Sequence, residues 1–461
     1  MTSQQLRDEE LDLVSGELDQ LDDEYLSLLT KRAKMRARLN GIRAPTSFLT
    51  TELLSFIFQY ACFLPCLIDE DDPHLPIILS SVSTHWREVA HSVPSLWSQI
   101  TVNVNHPCHA SANTLSLLRL YLDNAGKHSL SLRITVLSED EEADDDDEDD
   151  DQTMRDAGDQ FPIEDLLGLI LEKRETITTL ILEELPIDTC MQMLKQCPNL
   201  IHYRCRKVHL PSEFESRLEA PLVFEHMRTF GWTFGLCRWD NALIAQVELP
   251  AIQRFICEPR CGKDTGRTST SVASSELCAI QREFWPKLTT LKVLERKSNH
   301  CTITNADELF NCLPSSLEEL RLSDVSVPEH RQICRLLTYG NGQQDLFPRL
   351  NTLVMIGSFL EDLHYWMADY PALLVVMLQS RREGGEERWR NFSRLDCLYL
   401  GPKPRQSKSE KQRKHKLTLS QRAKLQKFVD GGMRLITADS DGAETVWKES
   451  EPIDSLAPSD T

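Results

Sequence analysis

The 461 residues, 41% hydrophobic and 26% charged with a formal charge of −20, are enough for two or three folded domains of ordinary water-soluble composition. The acidic, polar start MTSQQLRDEELD excludes a secretory signal peptide, and the longest apolar stretch, Leu53 to Ile68, is too short to cross a bilayer and is broken by Pro65. Fourteen cysteines without a secretory signal read as reduced thiols, which places the chain in the cytoplasm, the nucleus or both.

The first element is a heptad helix, assigned to residues 1–43. Leu11, Val14, Leu18, Leu21, Tyr25, Leu28, Arg32, Met35, Leu39 and Ile42 recur at alternating steps of three and four, which lays them on one stripe. Homodimerisation through residues 6–42 and packing within the chain both fit that stripe. Gly41 and Pro45 end the helix.

Residues 44–101 are dense in apolar helix. Leu53, Leu54, Ile57 and Phe58 fall at i, i+1, i+4 and i+5, a broad buried face, behind a Thr51-Glu52 cap region. A proline-marked loop leads to a helix over about Ile77 to His91, with Ile78, Val82, Trp86 and Val89 in one row. Pro94 starts a short turn carrying Leu96 and Trp97, and QITVNV alternates as a strand. Residues 102–137 read as a linker with a first strand.

Within residues 138–160 the run Glu139 to Asp151 is acidic except for Ala143, so it repels itself and is read as a disordered insert. A basic loop, 401–416, is its counterpart and fits a nuclear-import signal or a mobile loop. Neither interleaves aromatic residues with cations, so nucleic acid is not an expected partner.

Segments of the form P-x-L-x-x-h-x-h, with h apolar, recur over 161–437 together with degenerate copies at 175, 224 and 392. Their key positions are Ile177, Leu200, Met227, Ile252, Leu288, Leu317, Leu350 and Leu395. A strand followed by a loop and helix at this interval predicts an irregular leucine-rich-repeat solenoid of α/β class. Thr289, Thr290, Glu318, Glu319, Arg321, Asn351 and Thr352 would then line its strand face. A helix, a Gly-Gly turn and a strand close the region, and 438–461 is a polar tail.

No catalytic constellation stands out. G-x-S-x-G, H-E-x-x-H, Walker, Rossmann and kinase patterns are all missing, and the cluster Cys261 to Ser271 lacks phosphate-loop spacing. Cys62/Cys66 and Cys257/Cys261 do not have zinc-ribbon spacing, and His106-Pro107-Cys108-His109 has no second half. The chain therefore reads as a non-enzyme with no metal and no cofactor.

The stretch from residue 6 to about 137 resembles the F-box proteins of mushroom-forming fungi. Leu49 to Phe58 match the family's L-P-P-E-I-L-x-x-I-F block, with Thr50-Thr51 in place of its proline pair. Ile77 to Leu79, Val82, Trp86, Arg87, Val89, Ala90, Pro94, Leu96 and Trp97 match its aliphatic run and its V-x-x-x-W-R-x-h-A and P-x-L-W blocks, and Leu118 to Val136 resembles its linker. The resemblance implies a multidomain chain: an α N-terminal helix, a three-helix F-box and then the solenoid. It also implies a substrate-recognition subunit of a Skp-cullin-F-box ubiquitin ligase. Leu49, Thr50, Leu53, Leu54, Ile57, Phe58, Val82, Trp86, Val89 and Trp97 would meet the Skp-type adaptor, and through it a cullin, while the repeats hold a target protein. The alternative is a non-catalytic scaffold with an F-box-like fold that does not bind the adaptor.

Overall fold

The computed structural model describes residues 3–43, 45–63, 75–104, 109–136, 160–206, 221–234, 246–259, 284–297, 310–323, 327–339, 347–356, 370–383, 393–401, 419–438 and 444–446. The acidic run 139–151, nearly all of the basic loop 401–416, the cluster 261–271, Cys66, Cys108 and most of the tail lie outside them. Contacts group the chain into two compact units, Met1–Gln99 with Leu120–His128, and Ile100–Arg119 with Ser129–Thr461.

The first unit is helical. Helix α1 runs Ser3–Arg43, α2 Thr51–Phe63, α3 Leu75–Val82 and α4 Thr84–Ser92, and α5, Ala112–Ala125, contributes its C-terminal part. Ser83 separates α3 from α4. Its extended backbone and its hydroxyl, which accepts from the Trp86 N–H at 3.1 Å, end one helix and start the next. Pro94 begins a 3-10 turn through Trp97, where its missing N–H costs nothing. Leu54, Phe58, Val89, Ala90, Leu96, Trp97, Tyr121 and Leu122 make the core. The indole of Trp97 donates to the Ala90 carbonyl at 2.8 Å and meets Tyr121 edge-on at 5.1 Å. Burial first, and the nearby Cys62 second, push the Tyr121 phenol up.

The second unit is built on one large sheet and two two-stranded ones. Its strands are β1 (Gln99–Val104), β2 (His109–Ser111), β3 (Leu130–Val136), β4 (Gln160–Pro162), β5 (Ile177–Glu183), β6 (His202–Arg206), β7 (Leu222–Val223) and β8 (Thr229–Phe234). There follow β9 (Val247–Glu248), β10 (Arg254–Pro259), β11 (Val293–Lys297), β12 (Glu319–Ser323), β13 (Thr352–Ile356), β14 (Cys397–Gly401), β15 (Arg434–Ala438) and β16 (Glu444–Val446). Its helices are α6 (Ile163–Glu172), α7 (Ile187–Gln196), α8 (Val327–Leu336), α9 (Tyr370–Arg382) and α10 (Leu419–Asp430). Twelve strands pair in the order β1-β3-β5-β6-β8-β10-β11-β12-β13-β14-β15-β16, and every pair from β3 to β15 is parallel. β16 closes the edge antiparallel to β15. Alternation sorts the strand residues: in β12 and β13 the leucines and Met355 are buried, while the residues between them are half-exposed. On the buried face Tyr203, Phe230 and Phe255 lie in one register row, with centroids 5.7 and 5.8 Å apart.

The leucine-rich-repeat solenoid expected over 161–437 is corrected by this topology to an open, mostly parallel α/β sheet. The sheet starts with β1 and β3, upstream of the first expected repeat. It ends on an antiparallel hairpin, and its connections differ in content. The crossover to β5 carries a strand and a helix, that to β6 carries a helix, and β7 and β9 leave the main sheet to pair with each other. The recurring P-x-L signal marks something simpler than a module. All eight key positions are buried, each in a turn or at a strand entry, where an apolar anchor and a missing ladder donor are tolerated in any parallel sheet.

At the closing turn Gly432 has φ +85°, a left-handed conformation that a side chain would strain, and the Gly432 N–H reaches the Val429 carbonyl at 2.8 Å.

Candidate functional site

Two candidate surfaces present side chains outside the packed cores. The first lies on α2. Leu54 and Phe58 are fully buried, with Phe58 tilted against Trp86 at a centroid distance of 5.0 Å. One residue earlier in each pair the helix faces outward: Leu53 and Ile57 are exposed, and Phe56 and Tyr60 join them. The spacing 53, 56, 57, 60 is i, i+3, i+4, i+7, so these four side chains form one continuous stripe. Phe48, in the preceding 3-10 turn Pro45–Phe48, is 84% exposed. An apolar stripe of this size on a small helical unit is a candidate interaction surface.

The ten predicted contact residues thus divide. Leu53, Ile57, Val82 and Thr50 are exposed, Leu49 and Trp86 are half-buried, and Leu54, Phe58, Val89 and Trp97 are held in the core. Phe56 and Tyr60 are the residues sequence reasoning left out of the surface. Their signal is the i+3 and i+7 spacing from Leu53.

Thr50-Thr51 forms a working helix start. The Thr50 hydroxyl accepts from the Leu53 N–H at 3.4 Å, and the Thr50 carbonyl accepts the first helical bond, from the Leu54 N–H, at 3.0 Å. Hydrogen bonds from its own backbone N–H, then from Thr50, hold the Glu52 carboxyl below its usual range. The first turn that orients the stripe therefore rests on threonine capping.

The second surface is the half-exposed face of the sheet. Arg133 of β3 and Arg206 of β6 each reach Glu183 of β5 at 3.2 Å. Arg206 also meets Glu258 of β10 at 3.1 Å, and Arg204 of β6 meets the same carboxylate at 2.5 Å. Burial would raise the Glu183 carboxyl, but the two guanidiniums outweigh it and hold it low. The same face continues with Arg254–Glu295 at 2.5 Å and with the Arg321–Glu319 pair.

Arg204 spans β8 to reach β10, and Gly231 is what lets it pass. Gly231 sits between Arg204 and Ile256 in register, and a Cβ there would lie 2.8 Å from the Arg204 Cγ. Gly231→Ala is expected to cost about 1–2 kcal/mol, read from the urea midpoint, because the arginine stem must move and its carboxylate is abandoned. In an Arg204→Ala background the same substitution should be nearly neutral, and a double-mutant cycle measures the difference.

The positions expected along the strand face are half-buried or exposed. Thr290 donates to the Ile252 carbonyl at 2.7 Å, and Glu318 pairs with Lys292 at 3.3 Å. A cleft of about 490 Å³ beside α5 and α6 is lined by Leu115, Ser116, Arg119, Glu164, Asp165 and Glu172 among others. Among the described residues no group of three His, Cys, Asp or Glu side chains could hold a metal ion, and no helix is long and apolar enough to cross a membrane. No family model matches the chain, and no curated protein matches its sequence.

Proposed function

We propose that this protein is an F-box-type receptor subunit, docking a Skp-type adaptor, and through it a cullin, on the α2 stripe while the open face of the parallel sheet holds a target protein. The observation that carries the reading is the stripe Leu53, Phe56, Ile57 and Tyr60, displayed opposite a closed aromatic core. Apolar anchors on a rigid helix are the usual centre of a protein–protein interface, and the ion-paired sheet face offers half-exposed polar groups for a second one. The work done is to raise the concentration of one protein beside another, with no bond chemistry assigned to this chain. Localisation in the cytoplasm or nucleus belongs to the same proposal.

The test is co-expression of the full chain with a Skp-type adaptor. A stable complex is expected. Phe56→Asp with Ile57→Asp should weaken it at least about a hundredfold while helicity stays unchanged, since both side chains point away from the core. A wild-type chain that forms no complex at about micromolar concentration would leave the scaffold reading in its place.

A further inference from the structure

The seam of α1 is bare. Val14, Leu18, Leu21, Tyr25, Leu28 and Met35 are between 54% and 69% exposed, at heptad spacing. With Leu39 the seam runs over about 39 Å at 1.5 Å per residue, far more apolar length than a lone helix leaves to water. Heptad geometry calls for another helix with the same period.

The flanking charges say which helix and in which direction. Beside the seam, Glu17, Asp22 and Glu24 occupy the first half and Lys31, Arg36 and Arg38 the second, all exposed. A parallel pair of copies would set Glu17 beside Asp22 and Lys31 beside Arg36, and would place the seam residue Arg32 against itself. An antiparallel pair reverses every one of these conflicts. Val14 then packs on Leu39, Leu18 on Met35 and Tyr25 on Leu28, with no seam residue from Val14 to Leu39 left over. Arg32 falls at the level of Leu21 and Asp22 of the second copy. Glu17 faces Arg38 and Glu24 faces Lys31, each twice by the twofold symmetry.

We propose that α1 forms an antiparallel two-stranded coiled coil with α1 of a second copy of this chain. In that register the two Arg43 ends, from which each chain continues, lie about 50 Å apart. The dimer would thus hold two receptor arms apart. It does not depend on adaptor docking, so either proposal can fail without the other.

The test is sedimentation equilibrium of the full chain from about 1 to about 100 µM without any adaptor. A dimer is expected. Glu17→Lys with Glu24→Lys should raise its Kd about a hundredfold, because four attractive pairs become repulsive. Adding Lys31→Glu and Arg38→Glu to the same chain should restore the wild-type Kd. A monomer throughout the range would overturn the proposal. So would a dimer that the first pair of substitutions tightens, since in a parallel coil Glu17→Lys sets a cation beside Asp22 in place of a like charge. A dimer indifferent to all four substitutions would also overturn it.

Discussion

Trp97→Ala should destabilise the helical unit by about 3–5 kcal/mol, the range for removing a large aromatic from a close-packed core. The indole is fully buried between His91, stacked at 5.2 Å, and Tyr121, edge-on at 5.1 Å. Its N–H satisfies the Ala90 carbonyl at 2.8 Å, in the last turn of α4. Truncation therefore leaves a cavity and removes the shorter of two hydrogen bonds to the Ala90 carbonyl, which keeps the Val93 N–H at 3.4 Å. Small units have total stabilities of only about 5 kcal/mol, so most of this one's stability would go. Hydrogen exchange is the direct readout: amides of α2 and α4 should lose most of their protection. Trp97→Phe keeps an aromatic ring but removes the donor, and about 1–3 kcal/mol is expected for it. If Trp97→Ala left α4 fully protected, the core described above would not be what holds the unit.

This result bears on the proposed function because it separates two ways of losing the adaptor. Trp97→Ala would remove docking by melting the platform. Phe56→Asp with Ile57→Asp would remove it with the platform intact, since those side chains are 69% and 46% exposed. A protein that bound its adaptor through Phe58 or Leu54 would show no such separation, for both are closed in the core.

The same residues show how far the sequence could be read. Pro94, Leu96 and Trp97 are legible as a short turn, because proline placement is a local and strong signal, but Trp97, expected to meet the adaptor, is closed in the core. Leu53, Leu54, Ile57 and Phe58 were not divisible into inner and outer rows from sequence. They are adjacent rows on one helix, and only the position of Trp86 across from Phe58 decides which is inside. The eight anchors from Ile177 to Leu395 are all core positions, legible as such in the sequence, yet their recurrence equally fits copies of a module. Connection content, which distinguishes a repeat from a parallel sheet with unlike crossovers, lies between the anchors, where α6, α7 and α8 are clearly amphipathic but no local signal says which crossovers carry them. The Arg204–Glu258 contact was out of reach, since it joins residues 54 apart through the space left by Gly231.

Acid should weaken the sheet unit through His330 on α8. The imidazole is completely buried, which pulls its pKa from 6.5 down to about 3. Its Nδ1 lies 3.5 Å from the Sγ of Cys334, one helical turn on. Burial pushes that thiol up to about 12, so the sulfur keeps its proton and can donate it to a neutral Nδ1. Protonating the ring would remove that acceptor and place a charge where burial disfavours it. The sign follows from which state takes up protons first. The unfolded chain's histidine binds a proton as the pH drops through 6.5, while the folded one does not until about 3. The stabilisation is therefore complete above pH 6.5 and is lost progressively toward pH 3, at about 1.4 kcal/mol per pH unit. Urea titrations at pH 6.5 and 4.5 of the wild type and of His330→Gln isolate this group from the carboxylates, which titrate in both proteins. The wild type should lose about 2–3 kcal/mol more than the variant over that interval. Equal losses would mean that the His330 ring reaches water and takes up its proton in the folded state.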